Sequence, residues 1–170
     1  MRPRALSSLL AATASLAACA TAPSATPGRA APVPIDGYDW ILHRDGDDAR
    51  LSYGVAESDD VRLALDCARG AGSVALTVLA GPDAAPEIVL ESGGETESFI
   101  ANSEEDLLHD GLILTAEADA DSPIFQRFRR TGWLAARRGG TLEVYATHPG
   151  SGERVDGFFD FCGRDARSTD

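Results

Sequence analysis

Four kinds of residue in this chain could do chemistry: three cysteines, three histidines, several clustered carboxylates and a run of arginines. Cys67 and Cys162 have no neighbouring histidine, and the G-x-S-x-G pattern of an activated serine is absent. His43, His109 and His148 stand alone, without the H-x-x-x-H or C-x-x-C spacing that brings metal ligands to one site. Glu117, Asp119 and Asp121 alternate like half of a calcium loop. Pro123 follows where that loop needs more ligands, so a solvated acidic strand end is expected instead. Glu104, Glu105 and Asp106 could supply paired carboxylates for sugar chemistry, but no aromatic platform lies beside them. No catalytic residue, cofactor or metal is therefore assigned from sequence. Cys67 and Cys162 are an even pair beyond Cys19, and the expected chemistry is a disulfide between them.

The arginines carry a different signal. The chain has 15 basic and 27 acidic residues and a formal charge of −12. Recognition of phosphate backbones requires a basic surface, so nucleic acid is excluded as a general partner. Every basic residue is arginine. Between Asp121 and Glu143 there is no acid, and that window holds Arg127, Arg129, Arg130, Arg137 and Arg138. If the fold gathers them, they form an anion-binding patch suited to forked contacts with carboxylate or phosphate on an envelope partner. The alternative is that they answer the helix dipole and the acids nearby.

The elements that must position these residues follow from periodicity. Leu51, Tyr53 and Val55 alternate, as do Val61, Leu63, Leu65 and Cys67, with Arg62, Ala64 and Asp66 on the other face. The segments Ser73–Ala80, Glu87–Glu91, Glu95–Ala101 and Leu112–Ala118 read as further strands between Gly-rich turns. Asn102–Gly111 is polar and acidic and is expected to be irregular. Ser122 and Pro123 open a short helix, Ile124, Phe125 and Phe128 give it one apolar face, and Gly132 closes it. Trp133–Arg137 and Thr141–Thr147 form a hairpin. Val155, Phe158, Phe159 and Cys162 match i, i+3, i+4, i+7, which favours a second helix. The expected fold is mainly β (α+β): an antiparallel β-sandwich or partly open barrel of about eight short strands with two short C-terminal helices.

Ahead of that domain lies a targeting pattern. Arg2 and Arg4 precede an uncharged run, Leu6–Ala18, whose 13 residues fall short of the ~20 a membrane-spanning helix needs. The run ends in Leu16-Ala17-Ala18-Cys19, which resembles the lipobox of bacterial lipoprotein precursors. That resemblance implies a signal peptide over 1–18, a lipid-modified Cys19 as first mature residue, and a lipid anchor in a membrane. Ala20 after the cysteine resembles the outer-membrane-sorted members, facing the periplasm. Residues 20–34, rich in Ala, Thr, Ser and Pro without hydrophobic period, read as a flexible tether, and 35–170 as one globular domain. The layout of the last third, with Phe128 on a helix, Gly132, two strands and Phe158-Phe159 on a closing helix, resembles the invasion-associated locus B family of periplasmic β-proteins. No functional residue is carried over from it. The expected function is a non-enzymatic, membrane-tethered envelope lipoprotein that binds another envelope component, as an accessory or an inhibitor. The alternative is a small hydrolase acting on cell-wall or envelope polymer.

Overall fold

Alternation of large apolar and polar residues over successive eight-residue stretches builds the main sheet. The structure, a computed structural model, describes residues 32–107, 110–138 and 140–163. Strands β1 (Tyr38–Asp45), β2 (Asp48–Val55), β3 (Val61–Ala68) and β4 (Ser73–Ala80) pair antiparallel in sequence order. Strand β8 (Gly111–Asp119) joins beside β4, and β7 (Asn102–Asp106) closes the far edge, giving the order β1-β2-β3-β4-β8-β7. A second sheet runs β10-β9-β5-β6, from Thr141–Ala146, Trp133–Arg138, Glu87–Ser92 and Glu95–Ile100. Two separate antiparallel sheets make a sandwich rather than a closed barrel.

Register places the large residues of neighbouring strands opposite one another. Leu51 faces Leu65, Leu65 faces Leu76, and Leu76 faces Ala116; one row over, Tyr53, Leu63, Val78 and Leu114 do the same. All eight are buried. Each buried Leu, Val or Tyr is worth roughly 1.5–3 kcal/mol relative to exposure, so this face drives the fold. It is covered by β5 and β9, packed on β8 and β4, and by helix α2 (Gly152–Cys162), packed on β1, β2 and β3.

Helix α1 (Pro123–Thr131) rests on β5, β6 and β9 through Ile124, Phe125 and Phe128. Its C-terminus matches expectation: Gly132 adopts φ 73°, where a Cβ would be strained, and its N–H donates to the Phe128 carbonyl. Its N-terminus does not. Ser122 makes no side-chain cap; a carboxylate from another sheet takes the role, as Glu97 Oε2 accepts the Ile124 N–H at 3.3 Å. Helix α2 ends where expected, and its last carbonyls are taken by the β3–β4 turn, with Gly70 N–H on Phe161 O and Gly72 N–H on Cys162 O.

Two expectations need correction. Ten strands lie among the described residues rather than about eight, and Asn102–Asp106 is a strand, not irregular. It is an edge strand with nearly every side chain in solvent, so no apolar period marks it. Its acids also discourage pairing with another chain at that edge.

The edge at β1 is protected differently. Arg154 Nε donates to Trp40 O, His148 Nε2 lies 2.9 Å from Tyr38 O, and Arg44 donates to Gly157 O. The Arg154 and His148 side chains thus occupy β1 carbonyls that an incoming strand would need, while Arg44 ties β1 to α2.

Candidate functional site

The outer face of the six-stranded sheet is covered by no other element among the described residues. Two of its side-chain rows follow directly from register. One runs Ile41, Ser52, Ala64, Thr77, Thr115 and Asn102; the next runs His43, Arg50, Asp66, Ala75 and Glu117. The first is built of small and β-branched residues, so the middle of the face is low, and Ser52 and Ala64 are buried at its floor. The second carries the charge. Two adjoining concavities of about 400 and 270 Å³ occupy the face and share Arg50 as a boundary.

Arg50 and Asp66 form a fork: Nε donates to Oδ1 at 2.7 Å and Nη2 to Oδ2 at 3.0 Å. The Asp66 hydrogen bond raises the Arg50 pKa against the opposing effect of partial burial. The pair is half-exposed, so its contribution to stability is at most about 1 kcal/mol. Its geometric effect is larger, because it holds both side chains flat across two strands.

Cys67 and Cys162 form the expected disulfide, with Cα atoms 5.7 Å apart across 95 residues. The bond joins the core face of β3 to the last turn of α2, directly beneath the open face. Arg44 and Arg69 stack on the neighbouring Phe161 ring, 5.3 and 4.2 Å from its centre.

The five arginines do not gather into one patch. Arg129 Nε meets Asp156 at 2.8 Å and its Nη2 meets Asp160 at 2.7 Å, clamping α1 to α2. Arg138 Nη1 bonds Glu143 at 2.7 Å and its Nε donates to Leu79 O at the opposite end of β9. Arg127 lies under the β5–β6 turn, where its Cδ is 2.9 Å from the position a Cβ on Gly93 would take. Arg130 and Arg137 are exposed and make no ion pair among the described residues. Of the acids expected to answer them, Asp119 instead accepts the Asp121 N–H in the turn before α1.

The hydroxyl and histidine chemistry is tied up in structure. Ser151 donates to Asp39 Oδ1 at 2.6 Å, and Arg154 Nη2 lies 2.7 Å from the same hydroxyl and also bonds Asp39. The nearby His148 ring nitrogen turns away to the Tyr38 carbonyl. These contacts knit α2 to β1 and leave Ser151 only 1% exposed. His43 lines the larger concavity and makes no hydrogen bond among the described residues. No group of three or more metal-ligating side chains lies among them either. Cys19 and His109 fall outside the described residues.

The chain matches no family model, curated protein or solved structure.

Sequence alternation showed which residues of β3 point outward, Asp66 among them. It could not show the row they form, because β8 pairs with β4 across an excursion of some 30 residues through the other sheet.

Proposed function

We propose that this is a non-enzymatic lipoprotein of the cell envelope, held to a membrane through Cys19 and binding another envelope component with the open face of its six-stranded sheet. The anchoring half is supported by the lipobox-like Leu16–Cys19 and the tether of 20–34. Stable attachment takes two or more lipid chains or signals, which a lipidated N-terminal cysteine supplies. Ala20 favours the outer membrane and a periplasmic orientation. No described helix is long and apolar enough to cross a membrane.

The binding half rests on one observation: a low, concave, uncovered sheet face fixed by a disulfide-locked sandwich. Its side chains are short where they form the floor and charged where they form the rim. The neighbouring Ser151, His148 and Asp39 side chains spend their bonds on joining the start of α2 to β1. The anion-binding expectation for the arginines is not retained, because Arg129 and Arg138 are neutralised within the fold.

The test has two arms. Cys19→Ser should release the chain from membranes or leave it uncleaved, and unchanged processing with membrane retention rejects the anchor. A photo-crosslinking residue at Thr115, on the open face, should capture an envelope component in intact cells. One at Glu95, on the other sheet, should not. Equal capture from both positions, or none from Thr115, rejects the face as the binding site.

A further inference from the structure

Within the charged row lies a slot one strand wide. Asp66 on β3 and Glu117 on β8 both sit in register with Ala75 on β4, and only a methyl group stands between them. Adjacent strands are ~4.8 Å apart, so the two backbones are separated by ~10 Å, enough for a planar cationic group to enter side-on. Asp66 already shows what such a wall accepts, since it holds the Arg50 guanidinium in a two-bonded fork. Glu117, on the facing wall, is exposed and bonds no cation among the described residues. Asp45 and Asp48 line the same concavity, as does the exposed Ser73 hydroxyl at its floor. Four carboxylates thus surround a cavity with one arginine, and the Arg50–Asp66 fork leaves three of them, Asp45, Asp48 and Glu117, without a cation among the described residues.

The surrounding alternatives fit less well. An anionic ligand would meet Asp45, Asp48 and Glu117 with no unpaired guanidinium to receive it. A bare divalent ion needs several oxygens converging within a few ångströms, and no group of three or more metal-ligating side chains lies among the described residues.

Resting on the binding role proposed above, we infer that the partner is a protein segment bearing arginine or lysine, laid across the open face with one cationic side chain in the slot between Asp66 and Glu117. Charge complementarity sets the occupant: an acidic, low-floored face receives a basic strand or loop, steered in by the net negative charge of the domain.

The experiment uses the full lipidated chain in neutral detergent with three fluorescent peptides: alternating Gly-Arg, Gly-Lys and Gly-Glu. The inference requires anisotropy to rise with the first two and not with the third, and binding to weaken as salt increases from ~0.05 to ~0.3 M. Glu117→Gln should weaken binding about threefold to fivefold, the effect of one exposed charge pair. Glu117→Arg, which fills the slot with a cation of its own, should abolish it. Glu95→Gln, an equal charge change on the other sheet, should leave it intact. Absence of binding, preference for the Gly-Glu peptide, or equal loss with Glu95→Gln overturns the inference. So does self-association lost with Glu117→Arg, which would make a second copy of the chain the occupant.

Crosslinking in cells from Ser73 separates this failure from that of the broader reading. A captured component whose contact segment lacks Arg and Lys sinks the cationic partner but keeps the binding face. No adduct from Ser73 or Thr115 sinks both. An adduct mapped to a basic segment, lost with Glu117→Arg, supports both.

Discussion

The two faces of the six-stranded sheet are made by the same strands, one residue apart, yet they obey opposite rules. On the inner face Leu76 is fully buried between Leu65 and Ala116. On the outer face its neighbour Ala75 lies between Asp66 and Glu117 with space above it. The inner side chains are large and irreplaceable by volume; the outer ones are short in the floor and charged at the rim. On the binding role proposed above, stability and recognition fall on alternate residues of one strand. Changes on one face should leave the property of the other nearly untouched.

The largest effect should come from the bond that locks the inner face. The Cys67–Cys162 disulfide closes a 95-residue loop, worth ~4–5 kcal/mol on chain-entropy grounds. Cys162→Ser should lower the unfolding free energy by about that amount in denaturant titrations. Reduction of the native protein should do the same. A loss below ~1 kcal/mol would mean that packing of Val155, Phe158 and Phe159 holds α2 without the bond.

The disulfide was legible in the sequence because Cys67 and Cys162 are an even pair beyond Cys19 in a chain whose N-terminus reads as an export signal, and because alternation put Cys67 on the core side. The helices were legible for local reasons: Gly132 and the apolar spacings of Ile124, Phe125 and Phe128, and of Val155, Phe158 and Phe159, are set within a single turn or two. What stayed hidden depends on long-range pairing. Arg129 finds its acids 27 and 31 residues away on α2, and no spacing rule points there. Strand β7 was hidden because a solvent-washed edge strand needs no apolar residue. The slot at Ala75 was hidden because it requires knowing that β8, not β5, lies beside β4.

A paired substitution tests the division of labour most directly. Leu76→Ala should cost roughly 2–5 kcal/mol, the transfer term plus the cavity it leaves. Ala75→Leu, one residue away on the outer face, should shift stability by less than about 0.5 kcal/mol. It should nevertheless block the slot and remove binding of the Gly-Arg peptide. Thermal unfolding of both variants, with peptide anisotropy alongside, is sufficient. If Ala75→Leu destabilises as much as Leu76→Ala, the outer face is itself a packed surface and the comparison fails.

The smallest effect probes whether the inner face is as uniformly apolar as its leucines suggest. Tyr145, from the opposing sheet, is fully buried against Trp40 and Tyr53, with ring centres 6.4 and 5.0 Å away. Its hydroxyl has no hydrogen-bond partner among the described residues. An unpaired buried hydroxyl costs ~1–3 kcal/mol, so Tyr145→Phe should be neutral or stabilising by up to about 1 kcal/mol. Burial first, and the Glu143 carboxylate second, push the Tyr145 pKa above its ordinary value. With the folded pKa raised above an unfolded value of about 10, the folded state favours the protonated phenol. That contribution is fully present below pH ~10 and is lost as pH rises through the alkaline range toward the folded pKa. The Phe variant has no such proton to lose, so its stability should fall less steeply above pH ~10. Some alkaline loss should remain, because burial raises the Tyr53 pKa as well. Destabilisation by Tyr145→Phe of more than ~1 kcal/mol at neutral pH would show that the hydroxyl does have a partner. The inner face would then hold a polar contact as specific as the Arg50–Asp66 fork on the outer one.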